Sequence, residues 1–510
     1  MRTITRCVPF LLATLPLPAQ SLLHSHSLPL GVYCSRLRPA GDTNGDGKLD
    51  FVAITRQYLP TITQLSVVIV SGATGAPLHT LPDPVLQNDR EAVGIGDVNG
   101  DGRSDVLLVT ANLLRVYSGM TGQVITSLPP GGQSLGFLDG CGIGDYNGNG
   151  TADVAVGVYD SSTGALTVRL LRGENLSLLG NLATVANPSS TPVMRAIGDI
   201  TGDGRAEIAY CRDNGATDVL NGSSGSVMWS LSPTGSDQSR SIDALDLDGD
   251  GKRELFFFRP QLSGPGFYGM FSVHDAVTGA QRFARQSPVG TGYGTSVAAI
   301  GDLDQDGVQD FAQTFSGNGT SNLLACSGVG GRRLWALPSW PQQGLGWWLA
   351  PLGDVDGDTF GDVGVMSGAS AFDGWHLISG KILAESQPQG GACGGGPFFP
   401  QLGASRPILG QTMTIAGQNG PAGVPGLLVF SLQPPAATWL GVSTCYAYFD
   451  FGSAIALAAL PGPQWSLPFP IPLIPQGAGF EIALQAFYAP TSGPLGLDLS
   501  NGVWARLGYQ

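Results

Sequence analysis

A nine-residue acidic loop recurs seven times along this chain, and such a repeat limits the fold more than any other feature. The copies begin at Asp42, Asp97, Asp145, Asp199, Asp246, Asp302 and Asp354. Successive starts lie 55, 48, 54, 47, 56 and 52 residues apart. The clearest copies read GDTNGDGKLD, GDVNGDGRSD, GDLDQDGVQD and GDVDGDTFGD. A steady period of this length marks an array of one supersecondary unit.

Oxygen-bearing side chains stand at loop positions 1, 3, 5 and 9, and the backbone carbonyl of position 7 adds one more donor. The candidate ligands are Asp42, Asn44, Asp46, Lys48 and Asp50, then Asp97, Asn99, Asp101, Arg103 and Asp105. The third and fourth loops offer Asp145, Asn147, Asn149, Thr151 and Asp153, and Asp199, Thr201, Asp203, Arg205 and Glu207. The fifth offers Asp246, Asp248, Asp250, Lys252 and Glu254. The sixth and seventh offer Asp302, Asp304, Asp306, Val308 and Asp310, and Asp354, Asp356, Asp358, Phe360 and Asp362. The position-7 residues enter through their carbonyls alone. Alternate residues can turn their oxygens toward one point, and Ca²⁺ takes about six to eight hard oxygen ligands. Glycines at positions 4 and 6, such as Gly100 and Gly102, permit the tight curl. The spacing is that of the first half of an EF-hand loop, without the acid at position 12 and without a flanking amphipathic helix. Short β-rich runs follow instead: DFVAI, DVLLV, DVAVGV, EIAY, ELFFF, DFAQ and DVGVM. The loop therefore joins two strands. A solvated Asp-Asn-Gly turn is the competing reading of any single copy; seven copies in register favour a cation.

Charge supports the cation. The loops hold three, three, two and three carboxylates and then four each, 23 of the chain's 39. Seven Ca²⁺ would offset the formal charge of −14, so the acidity matches metal rather than a basic partner. The loops starting at Asp246, Asp302 and Asp354 carry the most charge and are expected to bind most tightly. The third and fourth are expected to be weakest. Thr359 replaces a glycine in the seventh loop, which predicts a different turn there. Leu245 replaces the glycine before the fifth loop.

Each unit carries four strand signals, shown by AVGIGD, DVLLV, LLRVYSGMTG and QVITSL. The third ends in a Gly-rich hairpin, which recurs as SGATG, SGMTG, NGSSG, HDAVTG and SGVGG. Four antiparallel strands per unit, seven times, predict an all-β fold, a seven-bladed β-propeller over residues 33–385. A solenoid is the geometric rival. A Gly/Pro-rich stretch, PQGGACGGGPFFP, reads as a hinge around 386–399. Beyond it, alternating runs such as TMTIAG, GLLVFSL, AIALAAL, FEIALQAFY and VWARLGY predict a small β-sandwich over 400–510. The abundance of Gly (76) and Pro (36) suits such turn-rich architecture.

The chain starts like a signal peptide over residues 1–19: a basic MRTITR, an apolar CVPFLLATLPLP and Ala19 as cleavage residue, with Leu17 an imperfect −3 residue. Cys7 has no lipobox around it. No stretch is long and apolar enough for a transmembrane helix, and the expected location is secreted or cell-surface. Cys34, Cys141, Cys211, Cys326, Cys393 and Cys445 remain, an even number that permits disulfides of undetermined pairing. The only lysines are Lys48, Lys252 and Lys381. Without a basic patch, nucleic acid and anionic membranes are poor partners.

The loops and hairpins resemble the FG-GAP/VCBS repeats of integrin-α-like β-propellers. That resemblance implies Ca²⁺ bound between the first two strands of each blade, up to seven ions in all. The tail from ACGGGPFFPQLGASRPILGQTMTIAG onward resembles a C-terminal domain of many large exported bacterial proteins, which suggests attachment or sorting at the cell surface.

Other features are weighed against packing. Trp229, Trp335 and Phe283 follow the hairpin glycines Gly225, Gly331 and Gly279 at one spacing, which favours blade packing over a ligand site. Trp340, Trp347 and Trp348 are either local packing or a sugar-stacking platform. GPGFYG at 264–269 matches GxGxxG but lacks a strand–helix context. GxSxG, HExxH and CxxC are absent, and His24, His26, His79, His274 and His376 are scattered. Arg90, Arg195 and Arg240 precede loops, where they line a propeller face or, the favoured reading, sit on the surface. The expected function is adhesion or ligand binding, toward protein or glycan, with calcium structural. The alternatives are a lyase-like polysaccharide-active enzyme, favoured by Arg, His, Tyr and acids converging on the axis, and a self-associating surface-layer component.

Overall fold

The computed structural model describes residues 22–510 apart from 30, 59–62, 82–88, 133, 187–192, 212–215, 233–240, 261–268, 288–290, 318–319, 339–344, 368–373, 396–398, 433–436, 442–444 and 494. The expected signal peptide, Trp340, Arg240 and most of GPGFYG lie outside the described residues. The side chains of Arg90 and Trp347 do as well.

Thirty-nine strands and one short 3₁₀ turn, Pro475–Gly477, make up the described regular structure. Strands begin where an acidic loop or a Gly turn ends. The second unit shows the pattern: Asp89–Gly96, Asp105–Thr110, Leu113–Tyr117 and Val124–Leu128 form one antiparallel sheet in chain order. Its second strand is buried at every residue. A strand covered on both faces is expected to be a continuous apolar run, and DVLLV is one. The outermost strand is only half-covered and mixes exposed with half-buried positions.

Among the described residues seven such four-stranded sheets are present. Their first strands are Val32–Gly41, Asp89–Gly96, Leu135–Gly144, Val193–Ala196, Ser241–Leu245, Thr291–Ala299 and Leu345–Gly353. Each first strand touches the next, and Leu345–Gly353 returns to touch Val32–Gly41. The sheets therefore stand in a ring about an axis, the arrangement of a β-propeller. Apolar clusters fill the wedges between neighbours. Val52, Ile54, Val67 and Ile69 meet Ala92, Val106 and Leu108, and Leu37, Phe51 and Val70 meet Leu352, Trp375 and Leu377 where the ring closes.

The seventh sheet takes its fourth strand from the other end of the array. Leu22–Ser27 pairs antiparallel with Gly374–Ile378, setting His26 opposite Trp375. The two rings stack at 4.5 Å, and Ser25 Oγ lies 2.9 Å from His376 Nδ1. This strand precedes the array boundary expected at residue 33. Its LLHSHS sequence is too short to stand out as a strand alone.

The five strands expected after residue 400 are present as Thr412–Gln418, Gly426–Ser431, Ile455–Leu460, Glu481–Tyr488 and Gly502–Arg506. The stretch read as a hinge opens with a strand instead. Glu385–Gln389 pairs with Gly502–Arg506 and joins the sheet that also holds Glu481–Tyr488, Gly426–Ser431 and Ile455–Leu460. It is an edge strand fixed in place by its one ladder, to Gly502–Arg506, which a flexible hinge would not be. Gln401–Ala404, Thr412–Gln418 and Trp465–Pro470 form a second sheet. Cys393 and Cys445 form a disulfide within this region, while Cys34, Cys141, Cys211 and Cys326 are buried thiols of the ring. One apolar cluster runs from Ala298 and Trp335 through Ile378 to Met413, Leu484 and Ala505, so the C-terminal sheets share a core with the last two sheets of the ring. Among the described residues no helix is long and apolar enough to cross a membrane.

Candidate metal centre

Every acidic loop sits between the first and second strands of its sheet and curls around the carboxylate at position 1. Asp97 accepts from the N–H groups of Gly100 at 2.7 Å and Gly102 at 2.7 Å. Asp145, Asp199 and Asp246 repeat this with Gly148 and Gly150, Gly202 and Gly204, and Gly249 and Gly251. Position 5 then accepts from the N–H of position 7: Asp46 from Lys48, Asp101 from Arg103, Asn149 from Thr151, Asp203 from Arg205, Asp250 from Lys252, Asp306 from Val308 and Asp358 from Phe360. Asn44 and Asn99 accept from Asp46 and Asp101.

The glycines at positions 4 and 6 have positive φ, as the curl requires. Two departures keep the same shape. Thr359 takes φ +76° and donates its N–H to Asp354 at 2.9 Å, as the glycines do elsewhere. The different turn expected there does not form, because the Asp354 bonds hold the backbone in place. Gln305, at position 4 of the sixth loop, takes φ +54°.

Position 9 does something the sequence did not suggest. These carboxylates are buried at 0–1% exposure. One oxygen accepts from the N–H of position 2: Thr43 to Asp50, Val98 to Asp105, Tyr146 to Asp153, Ile200 to Glu207, Leu247 to Glu254, Leu303 to Asp310 and Val355 to Asp362. The other accepts from the hairpin between the third and fourth strands, through Gly72, Gly119, Gly173, Gly222 and Gly328, and in the seventh sheet from Gly380, just after the third strand. In the fifth sheet Arg282 takes that place, 2.8 Å from Glu254. Position 9 thus bolts loop to hairpin. Burial pushes Asp105 and Asp362 up to about 6, Glu254 to about 7 and Asp310 to about 8, against the N–H groups that hold them lower.

The loops are also chained to one another. Ser104 N–H donates to Asp42 O at 2.9 Å and Ala152 N–H to Asp97 O at 2.8 Å. Side chains at position 7 reach back as well. Lys48 Nζ bonds Asp354 O, and the Arg205 guanidinium lies 4.5 Å over Tyr146.

In four loops, carboxylate oxygens from three residues lie within 4.8 Å of one another: Asp199, Asp203 and Glu207; Asp246, Asp248 and Asp250; Asp302, Asp304 and Asp306; Asp354, Asp356 and Asp362. The fourth loop, ranked with the weakest by sequence, is among them. Three anionic oxygens this close repel without a cation. In the sixth loop Asp304 Oδ1 is buried with no hydrogen-bond partner, as a carboxylate waiting for a metal would be. These donor sets fit a hard divalent cation.

A second constellation lines the axis. A cavity of about 550 Å³ is bounded by the first strands and by Arg38, Glu91, Arg195 and Asp243. Arg38 grips Glu91, and Arg195 lies 3.5 Å from Asp243 and 3.9 Å from Asp139. Arg195 is therefore an axial residue, not the surface arginine that sequence favoured. Asp139 accepts from Met194 N–H at 2.8 Å and Asp243 from Val297 N–H at 3.2 Å, so these acids also tie one first strand to the next. A charged residue three to six positions before a loop, as in Glu91, Asp139 and Asp243, was the signal available.

Trp229 Nε1 donates to Ala276 O in the neighbouring sheet's hairpin, and Trp335 Nε1 to Gly380 O just after the neighbouring sheet's third strand. Phe283 packs edge-on against Phe271. Trp348 lies under Arg38, at 4.2 Å, and Arg36, at 5.0 Å. All four are packing residues.

Residues 97–156 and 199–257 match the model of the FG-GAP-like repeat. No curated protein matches the chain. Similar solved structures include BBS1N in complex with ARL6DN, at 10% identity and a TM-score of 0.47, covering 70% of this chain and 97% of that one. The beta-propeller domain of Myceliophteria thermophila Cps50 (Swd1) aligns at 10% identity and a TM-score of 0.44, covering 70% and 99%. The chain is a β-propeller carrying FG-GAP-like repeats.

Proposed function

We propose that the chain is an exported, calcium-binding, seven-bladed β-propeller of the integrin-α-like FG-GAP/VCBS kind, followed by a small β-sandwich over 400–510, and that it serves as an adhesion or ligand-binding module for a protein or glycan. The observation that carries the calcium reading is the repeated curl that gathers carboxylate oxygens at one point in successive loops. Positions 1, 3 and 5, with the position-7 carbonyl, would hold the ion. Position 9 completes the set where it turns inward, as Glu207 and Asp362 do. Calcium is structural in this reading: it cancels the repulsion within each loop and stiffens the face on which all seven loops lie. At about 100 times Kd, each site adds roughly 2.7 kcal/mol to stability. The C-terminal unit is assigned to cell-surface attachment.

Metal content and thermal melting of the purified chain, before and after chelation, test this. Several Ca²⁺ per chain and a large fall in Tm are expected. No bound Ca²⁺ and an unchanged Tm would overturn the reading. The charged axial cavity is what supports the rival, a polysaccharide-active enzyme. Its arginines and acids are already paired with each other, which favours a structural role, and turnover of acidic polysaccharides would reverse that preference.

A further inference from the structure

The sixth loop is covered, and the cover is the C-terminal unit. Asp304 at position 3 is buried, whereas Asp248 and Asp356 at the same position in the fifth and seventh loops are exposed. Its Oδ2 accepts from Arg332 Nη2 at 2.8 Å. Its Oδ1 has no hydrogen-bond partner, although the side chain is 3% exposed. Oxygens of Asp302, Asp304 and Asp306 converge within 4.8 Å. The same short segment carries the contacts with the end of the chain. Gln305 O accepts from Gln476 Nε2 at 2.8 Å, and Gln305 Nε2 donates to Tyr509 Oη at 3.4 Å. Tyr509 Oη donates to Leu303 O at 3.5 Å. Arg332, the partner of Asp304, lies over the Phe480 ring at 4.5 Å and reaches Ala478 O.

We propose that cation binding in the sixth loop and seating of the C-terminal unit are one coupled equilibrium, carried by Asp304, Arg332 and Gln305. The inference rests on the calcium reading above. A cation on Asp304 Oδ1 leaves Oδ2 on Arg332, so the carboxylate joins ion and guanidinium without exchanging one for the other. The ion also offsets the repulsion among Asp302, Asp304 and Asp306, which otherwise opens the curl and displaces Leu303 O and Gln305. Those groups are what Tyr509 and Gln476 grip. Coupling of this kind is reciprocal: whatever factor calcium adds to seating, seating adds to calcium affinity at this loop.

Hydrogen–deuterium exchange of the full chain, with Ca²⁺ and after chelation, alongside metal content, tests the coupling. Chelation is expected to raise exchange in residues 476–482 and 505–510 about tenfold, within the usual range of coupling factors. Asp306→Asn, which leaves the Arg332 contact untouched, should give the raised exchange with Ca²⁺ present. Asp101→Asn, in the second loop, should not. If the chain holds Ca²⁺ and the loops loosen on chelation while the C-terminal amides stay unchanged, the coupling is wrong and the calcium reading stands. Equal loosening by Asp101→Asn has the same consequence. If the chain holds no Ca²⁺, both are overturned.

Discussion

Arg38 and Glu91 meet between two adjacent first strands of the ring, Nε to Oε1 at 3.0 Å and Nη2 to Oε2 at 3.1 Å, with both side chains buried. Breaking such a pair strands a charge in the interior. Arg38→Met is expected to destabilise the protein by about 3–5 kcal/mol, and Arg38→Met with Glu91→Leu to recover most of that loss. Denaturant unfolding of the two variants measures it; a single variant as stable as wild type would show that water reaches Glu91.

The same network sets a pH dependence. Burial opposes ionisation of Glu91, but Arg38, Arg36 and Arg195 outweigh it and hold the carboxyl at about 2, below its ordinary 4.5. That contribution is present above pH 4.5 and is lost as pH falls toward 2. Asp139 has the opposite sign. Burial first, and then the charge of Glu91, raise it to about 6 from 3.8, so its contribution falls as pH rises from about 4 to 6. Asp139→Asn should flatten the decline in that upper window, and melting curves at fixed calcium compare it with wild type.

Positions 5 and 9 of a loop should separate under chelation. Asp105→Ala orphans the N–H groups of Val98 and Gly119, at about 1–3 kcal/mol each, whether or not calcium is present. Asp101, at position 5, is exposed and bonds only its own loop. Asp101→Asn is expected to lower Tm with calcium and to change it little after chelation. Equal behaviour of the two variants would remove the distinction between bolt and ligand.

Thr359 holds φ +76°, a region costly for a β-branched residue. Thr359→Gly should stabilise the chain by about 1 kcal/mol, the scale of the left-handed penalty. Unfolding midpoints decide it, and a loss of stability would mean that the threonine side chain offsets its own strain.

How legible all this was depended on distance along the chain. The seven loops and the strands on either side of them are local, and the position-1 curl follows from an Asp with glycines three and five residues on. The second role of position 9 was not legible because its partner is a glycine N–H 14 to 22 residues away, on a hairpin that only the folded sheet brings close. Arg195 read as a surface charge, and Glu91 and Asp139 did not stand out, because nothing local shows that a first strand faces an axis. The covering of Asp304 was least legible, since Gln476 lies 171 residues from Gln305.

The strand Leu22–Ser27 has a consequence for how the ring is made. It waits for a partner more than 300 residues later, as the 351-residue separation of Ser25 and His376 shows. Chains emerge and fold from the amino end, and contacts this distant are slow to form. The earliest-made of the described strands is therefore among the last to find its place, and the circle stays open until it does. Afterwards it acts as a latch: a force pulling on this strand would load its ladder to Gly374–Ile378, the seam between the first and last sheets.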